Sequence, residues 1–185
     1  MIPPSIYELL DRVHFMSYDM VGGGNGENGD RYHASLPKVE RALDELLAPG
    51  GGLDTEPQRR KVLLGIPAYA RHLRNPSDVQ TVAELHDRIF PTDDGDGVAG
   101  GGTLSSPDRR RFRGMHSWGG YEWESPRRIR AKIDLVRDRG LGGIFFWELG
   151  QDKATAEHPG GILLEAAVAA AETRPAAAAA TAAEL

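Results

Sequence analysis

Three short runs of almost uninterrupted apolar residues limit the possible folds of this 185-residue chain more than any other feature. They are Val13–Tyr18, Lys61–Pro67 and Gly143–Leu149. Each run is too short for a typical helix and shows no regular alternation of apolar and polar residues. This pattern predicts strands that are buried on both faces, as in a parallel sheet covered by helices.

Helical patterns separate the predicted strands. Leu36–Leu47 has apolar residues at helical spacing, and Ser125–Arg139 begins with a Ser-Pro cap and ends at Gly140. Shorter helices are predicted at Ser5–Leu10 and Ile162–Glu172. Strands and helices that alternate in this way favour parallel βα units. The residues alone leave two architectures open, a doubly wound sheet and part of a (β/α)₈ barrel.

The segment from residue 71 to residue 120 interrupts this alternation. It is rich in glycine, aspartate and proline and is too long for an ordinary loop. We therefore predict an insertion, with a short helix around Val79–Ile89. Residues 175–185 are alanine-rich and are predicted to be a disordered tail, which leaves one domain over residues 1–174.

Composition excludes several classes of function. The chain has no cysteine, and its six histidines do not fall at metal-binding spacing, so we expect no metal site and no cofactor. A net charge of −5 without a basic stripe argues against a nucleic-acid partner. The first residues carry prolines and acids, and no apolar run reaches the ~20 residues that span a bilayer. The sequence as written predicts neither export nor a membrane partner, and the localisation stays open.

Aromatic and polar side chains follow each predicted strand. The strands end in "SYD" (Ser17–Asp19), "PAYAR" (Pro67–Arg71) and "FWELGQD" (Phe146–Asp152). Ligands of parallel βα proteins bind at the carboxyl ends of the strands. Rings surrounded by carboxylates and amides suit an uncharged, polyhydroxylated ligand such as a sugar, so we expect a binding site at this edge of the sheet.

Three segments together resemble glycoside hydrolase family 18, the chitinase family. They are "VHFMSYDM", "KVLLGIPAYAR" and "GLGGIFFWELGQD", in this order, within a similarity that runs roughly from Ile6 to Leu164. The resemblance implies an α/β fold, a partial (β/α)₈ TIM barrel. The three predicted strands would be its strands six to eight, with the insertion after strand seven.

The resemblance also implies a site and a substrate. Tyr18 and Asp19 would position the N-acetyl group of the substrate, whose own acetamido oxygen attacks the anomeric carbon. Substrate-binding roles are implied for Met16, Tyr69, Arg71 and Trp147. The partner would be chitin or N-acetylglucosamine oligosaccharides, with no cofactor, and the family is typically secreted.

The proton donor of the family is the expected feature that is missing. No D-x-x-D-x-D-x-E string occurs in the 185 residues. Glu148 is not a substitute, because alternation puts Phe145 and Trp147 on one face of the strand and Phe146 and Glu148 on the other. We expect the carboxyl-terminal part of a family member, inactive by itself. The alternatives are a non-catalytic, lectin-like chitin-binding protein and a doubly wound domain without this site.

Overall fold

The structure, a computed structural model, describes residues 3–21, 30–91 and 112–173. The predicted tail over residues 175–185 and the middle of the predicted insertion lie outside these ranges. The described elements, in chain order, are α1 (Pro4–Leu9), β1 (Val13–Phe15), α2 (Leu36–Leu46), α3 (Glu56–Arg59), β2 (Val62–Pro67), β3 (Tyr69–His72), β4 (Val79–Thr81), α4 (Val82–Ile89), β5 (Ser117–Trp118), β6 (Tyr121–Glu122), α5 (Pro126–Asp138), β7 (Gly143–Trp147), a 3₁₀ turn (Leu149–Gln151) and α6 (Ile162–Glu172).

The three apolar runs form one parallel sheet in the order β1-β2-β7. Strand β2 lies in the middle, where Val62, Leu64 and Ile66 are fully buried. The first strand is shorter than predicted. It ends at Phe15 because the Ser17 amide bonds back to the Phe15 carbonyl and the Ser17 hydroxyl bonds to the chain of β2. The tip residues therefore leave the ladder and face the carboxyl edge of the sheet.

Helices cover this sheet, as the alternation of elements predicts. Helix α5 begins where expected, with the Ser125 hydroxyl accepting the Arg128 amide and Pro126 in the first turn. Its buried residues Ile129 and Ile133 share one core with residues of α6. A second core lies between α2, β1, β2 and the other side of α5. No helix among the described residues is both long and apolar enough to cross a membrane.

A second, antiparallel sheet, which the sequence pattern does not reveal, lies in and next to the segment from residue 71 to residue 120. Its order is β4-β3-β6-β5, and its strands are two to four residues long. The predicted helix is present but begins at Val82 rather than Val79. The reason is a capping box in which Thr81 and Glu84 each bond to the backbone amide of the other.

The last strand of the parallel sheet presents different residues to its two faces. Phe146 packs against the helix-covered core, whereas Phe145 packs with a cluster of aromatic side chains at the sheet edge. The predicted alternation of these two residues is confirmed. The strand ends at Trp147, two residues earlier than predicted, because Leu149–Gln151 turn back and the Gln151 amide bonds to the Glu148 carbonyl. The alternation therefore does not extend to Glu148, which is exposed.

Candidate functional site

The candidate site lies at the carboxyl edge of the parallel sheet. Parallel pairing of β1 with β2 and of β2 with β7 brings the three strand tips to this one edge. Ser17–Asp19 follow β1, and Pro67 at the end of β2 pairs with Trp147 at the end of β7. The fold therefore gathers the tip residues on the side where βα proteins bind ligands.

Tyr18 is held against the sheet by a close approach to β2. A Cβ atom on Gly65 would lie 2.6 Å from Cε1 of Tyr18, so this position requires a glycine. The Tyr18 ring meets Tyr69 and Phe145 edge-on, with centroids 6.2 and 6.3 Å away. Burial, followed by the negative charge of Asp19, raises the pKa of the Tyr18 hydroxyl, which keeps it protonated as a hydrogen-bond donor.

The Tyr18 hydroxyl has no visible use within the fold. It is shielded from water and has no hydrogen-bond partner in the described part of the chain. Buried tyrosine hydroxyls usually find a partner, because an unpaired one costs free energy. The site thus contains a donor that is positioned but unsatisfied.

Asp19 is the centre of a small charged network. Its Oδ1 atom accepts hydrogen bonds from the Tyr69 hydroxyl at 2.5 Å and from Nε of Arg71 at 2.6 Å. Burial of the carboxyl group opposes ionisation, but the bonds from Arg71 and Tyr69 outweigh it and lower the pKa of Asp19. The side chain is 42% exposed. Its ionised second oxygen can therefore accept a donor from outside the protein.

The partners of Asp19 come from the antiparallel sheet β4-β3-β6-β5. Tyr69 and Arg71 lie on β3, which follows β2 after a single residue. The Arg71 guanidinium lies 5.6 Å from the Tyr69 ring centroid and donates to the Pro76 carbonyl, which fixes its position. The hydrogen bond with Asp19 is the main cause that raises the pKa of Arg71. The arrangement keeps a stable ion pair at the edge of the site.

Two of the predicted site residues lie at the surface of the same edge. The Trp147 side chain is 55% exposed and that of Met16 is 66% exposed. No hydrogen bond or ring contact in the described residues joins either side chain to the Asp19 network. The fold brings Tyr18, Asp19 and the two β3 residues together, and it leaves these two apolar side chains free for contact with a ligand.

His33 belongs to the site although nothing in the sequence marks it. It stacks on Tyr69 with ring centroids 5.2 Å apart, and its Nδ1 atom accepts the backbone amide of Asp19 at 3.0 Å. Nδ1 also lies 3.4 Å from the Asp19 carboxylate, a distance that would define an ion pair if the ring were charged. Burial lowers the pKa of His33 to about 3 despite the nearby carboxylate, so the ring is neutral and the amide bond is the real interaction.

A buried ion pair supports the site from behind. The Glu124 carboxylate accepts the Tyr32 hydroxyl at 2.8 Å and Nζ of Lys132 at 2.5 Å, and all three side chains are buried. The Arg128 guanidinium lies 4.2 Å from the Tyr32 ring centroid. Tyr32 contacts His33, so helix α5 is connected to the Asp19 network through these side chains.

The last residue of the "FWELGQD" tip has a structural task. The Asp152 carboxylate accepts the backbone amides of Leu163 and Leu164 in the first turn of α6, at 2.9 and 3.0 Å. Burial raises the pKa of Asp152 even though these amides favour the carboxylate. Asp152 therefore anchors the start of α6.

No group of three or more His, Asp or Glu side chains in residues 3–21, 30–91 and 112–173 is arranged to hold a metal ion.

Comparison with known proteins identifies the family. The family model described as "Glycosyl hydrolases family 18" matches residues 3–152. The chain belongs to glycosyl hydrolase family 18. A curated relative, the class V chitinase CHIT5 of Lotus japonicus, is 23% identical over 168 residues, which cover 80% of this chain and 40% of the chitinase.

Solved structures of a family 18 chitinase and of a chitinase-like agglutinin share the fold. A chitinase variant of Cycas revoluta, solved in complex with (GlcNAc)₄, has a TM-score of 0.59 at 19% identity and covers 92% of this chain. A chitinase-like agglutinin of Robinia pseudoacacia has a TM-score of 0.58 at 20% identity and covers 91% of this chain. In both comparisons this chain spans 50% of the other protein. The likeness establishes an α/β fold of the family 18 barrel type.

Proposed function

We propose that this chain binds oligosaccharides of β-1,4-linked N-acetylglucosamine and forms the acetamido-positioning part of a family 18 glycosidase cleft. The observation that carries the proposal is the unsatisfied Tyr18 hydroxyl beside the Asp19 carboxylate. An unpaired buried hydroxyl costs about 1–3 kcal/mol, and a ligand carbonyl oxygen that enters beside the 42% exposed Asp19 side chain and displaces the groups covering the hydroxyl would supply the missing acceptor. The acetamido group of N-acetylglucosamine carries such an oxygen.

The two side chains have complementary roles in this proposal. The Tyr18 hydroxyl donates a hydrogen bond to the acetamido oxygen and orients that oxygen toward the anomeric carbon. The ionised Asp19 accepts an N–H or O–H of the same sugar through its free oxygen. The acetamido oxygen is then the nucleophile, so the protein needs no nucleophile of its own.

The proposal assigns β1, β2 and β7 to the sixth, seventh and eighth strands of a (β/α)₈ barrel. The antiparallel sheet β4-β3-β6-β5 is then the insertion after strand seven. Trp147 provides an apolar platform beneath the sugar ring, and Met16 and Arg71 line the cleft. The exposure of Trp147 and Met16 supports this arrangement, because a ligand must be able to reach them.

We assign the role of proton donor to none of these residues. The 185 residues contain no D-x-x-D-x-D-x-E string. General acid catalysis contributes about 10²–10⁴-fold to the rate, and the leaving oxygen departs poorly without it. We expect the 185-residue polypeptide not to cleave a fluorogenic chitobioside. Turnover above that of a heat-inactivated control would contradict the assignment.

A lectin-like function is the second candidate. Its support is the fold shared with a chitinase-like agglutinin. Both functions require the same sugar contacts, so binding alone does not separate them. An in-frame D-x-x-D-x-D-x-E string in the transcript upstream of Met1 would decide for the enzyme.

Calorimetric titration with an N-acetylglucosamine tetramer tests the binding site. Tyr18→Phe removes one neutral hydrogen bond, so we expect about 3–10-fold weaker binding of the acetylated tetramer and little change for its deacetylated counterpart. Trp147→Ala should weaken binding of both ligands at least ten-fold. Phe146→Ala is the matched control, because its ring packs on the opposite face and its loss should lower the melting temperature instead.

The outcomes of this titration separate the site from the fold. Equal affinity of the wild type and Trp147→Ala would remove the platform role of the tryptophan. Equal weakening of acetylated and deacetylated ligands by Tyr18→Phe would show that the hydroxyl does not contact the acetamido group. A wild-type chain that is folded but binds neither tetramer would refute the proposed function.

A further inference from the structure

His33 is a buried polar residue to which the proposed reaction gives no role. Its side chain is 1% exposed and lies between the rings of Tyr32 and Tyr69. Nδ1 accepts the Asp19 amide, whereas Nε2 is buried and has no hydrogen-bond partner among the described residues. A buried imidazole with an unpaired nitrogen is costly, so its retention beside the site calls for a physical reason.

The bond to Asp19 determines the form of the ring. An imidazole nitrogen accepts a hydrogen bond only when it carries no proton, so Nδ1 is unprotonated and the proton is on Nε2. A charged ring would carry a proton on both nitrogens. The N–H at Nδ1 would then face the N–H of Asp19, and the hydrogen bond between them would be lost. The site therefore depends on one neutral tautomer of His33.

Asp19 needs this support because its backbone is unusual. It is the one described residue other than glycine with a positive φ, at +58°, a conformation that costs an L-residue about 1–2 kcal/mol. His33 holds this turn with two groups: its Nδ1 accepts the Asp19 amide, and its own carbonyl accepts the next amide, that of Met20, at 3.0 Å. Lys38 secures the same turn by donating to the Met20 and Tyr32 carbonyls.

The direction of the Asp19 side chain follows from this turn. With φ in the left-handed region, the carboxylate points to the hydroxyl of Tyr69 and to Nε of Arg71 on β3. The ring of His33 also packs on Tyr69, so one side chain supports both the carboxylate and its hydrogen-bond donor. A change in the Asp19 backbone would separate these groups.

We propose that His33 is the positioning residue of the acetamido site, and that its neutral Nδ1 fixes the Asp19 backbone so that the carboxylate meets Tyr69 and Arg71. The inference rests on the proposed function and deepens it. It assigns the preorganisation of the sugar-binding carboxylate to a residue that does not touch the sugar.

Two variants at position 33 separate the hydrogen bond from the packing. His33→Asn keeps an acceptor near the place of Nδ1 but loses the ring that stacks on Tyr69. His33→Phe keeps a stacked ring but removes the acceptor. We expect His33→Phe to bind the N-acetylglucosamine tetramer about ten-fold more weakly and to raise the carboxyl pKa of Asp19, because the bonds from Arg71 and Tyr69 are lost. His33→Asn should stay within about two-fold of the wild-type affinity.

A ligand-free measurement tests the geometry directly. In ¹⁵N-labelled wild-type protein, a scalar coupling across the hydrogen bond should connect the Asp19 amide nitrogen with Nδ1 of His33. Long-range ¹H–¹⁵N spectra should show a proton on Nε2 alone. Both signals are independent of sugar binding, so they test the role of His33 even if the proposed function fails.

Several results would overturn the inference. One is the absence of the coupling in the folded wild type, which counts whether or not the variants fold. Another is His33→Phe with wild-type affinity and an unchanged Asp19 pKa. A third is loss of affinity in both variants in proportion to their loss of thermal stability, which would mean that the ring only fills space. A folded wild type that shows the coupling but does not bind the tetramer would refute the proposed function alone.

Discussion

Lowering the pH should destabilise this protein through His33, because burial lowers the pKa of its ring. The pKa of the ring is about 3 in the folded chain and 6.5 in an ordinary environment. Burial is the main cause, and the charges of Arg71, Lys132 and Lys38 add to it while Asp19 opposes it. Between these two values the unfolded chain binds a proton at this ring that the folded chain does not bind, so stability falls as the pH falls.

The magnitude follows from the distance between the two pKa values. Each pH unit well below 6.5 costs about 1.4 kcal/mol until the folded chain also takes up the proton near pH 3. At pH 5 the loss attributable to this ring is about 2 kcal/mol, and near pH 3 it approaches about 5 kcal/mol. Above pH 6.5 the ring is neutral in both states and makes no such contribution.

Urea denaturation at pH 7.5, 6.0 and 5.0 measures this loss, with the fluorescence of the buried Trp123 as a reporter. Other groups also titrate, so the informative quantity is the difference between the wild type and His33→Asn, which has no titratable group at this position. The free energy of unfolding of the wild type should fall about 2 kcal/mol further than that of the variant between pH 7.5 and pH 5.0. Identical pH dependence, or an NMR titration of the His33 ring near pH 6.5, would refute the reasoning.

Two more perturbations address the support of the site. Lys132→Met leaves the Glu124 carboxylate buried without its cation, so it should lower the free energy of unfolding by about 3–5 kcal/mol. Chemical denaturation measures this change. A loss below about 1 kcal/mol would mean that water reaches this pair. Asp152→Ala removes the acceptor for the first amides of α6, so it should lower the free energy of unfolding by about 1–2 kcal/mol. Hydrogen exchange of the Leu163 and Leu164 amides should become faster. Unchanged exchange would show that the start of the helix does not depend on this side chain.

The parallel sheet and its helices could be predicted because their signals are local. Apolar runs, Ser125 with Pro126 at a helix start and the stop at Gly140 determine each element within a few residues of sequence. The alternation of Phe145 and Phe146 is likewise a property of one strand. The antiparallel sheet could not be predicted from the sequence, because strands of two to four residues carry no measurable periodicity. Their pairing also depends on contacts between distant segments.

The candidate site divides in the same way. Tyr18 and Asp19 follow a strand and are therefore visible in the sequence as tip residues. His33 and Glu124 are not visible, because their roles arise from contacts with distant parts of the chain. His33 accepts the amide of Asp19, 14 positions earlier, and Glu124 accepts the hydroxyl of Tyr32, 92 positions earlier. A polar residue that folding buries looks like any other polar residue until its partners are known. The signal that finds such residues is burial with a hydrogen-bond partner, and burial is a property of the fold.

The proposed function divides into two tasks that different residues perform, and this separation is consistent with a fold shared by a chitinase and a chitinase-like agglutinin. The reaction needs an acid near the leaving oxygen, but the positions of the acetamido group and of the sugar ring do not depend on that acid. In the proposed function the acetamido contact is assigned to Tyr18 and Asp19, and in the structure Asp19 is held by hydrogen bonds with His33, Tyr69 and Arg71. Every member of that network lies in the residues described, so loss or separation of the acid would leave the network intact. We therefore expect sugar affinity to follow the neutral tautomer of His33, and hydrolysis to follow the presence of the acid.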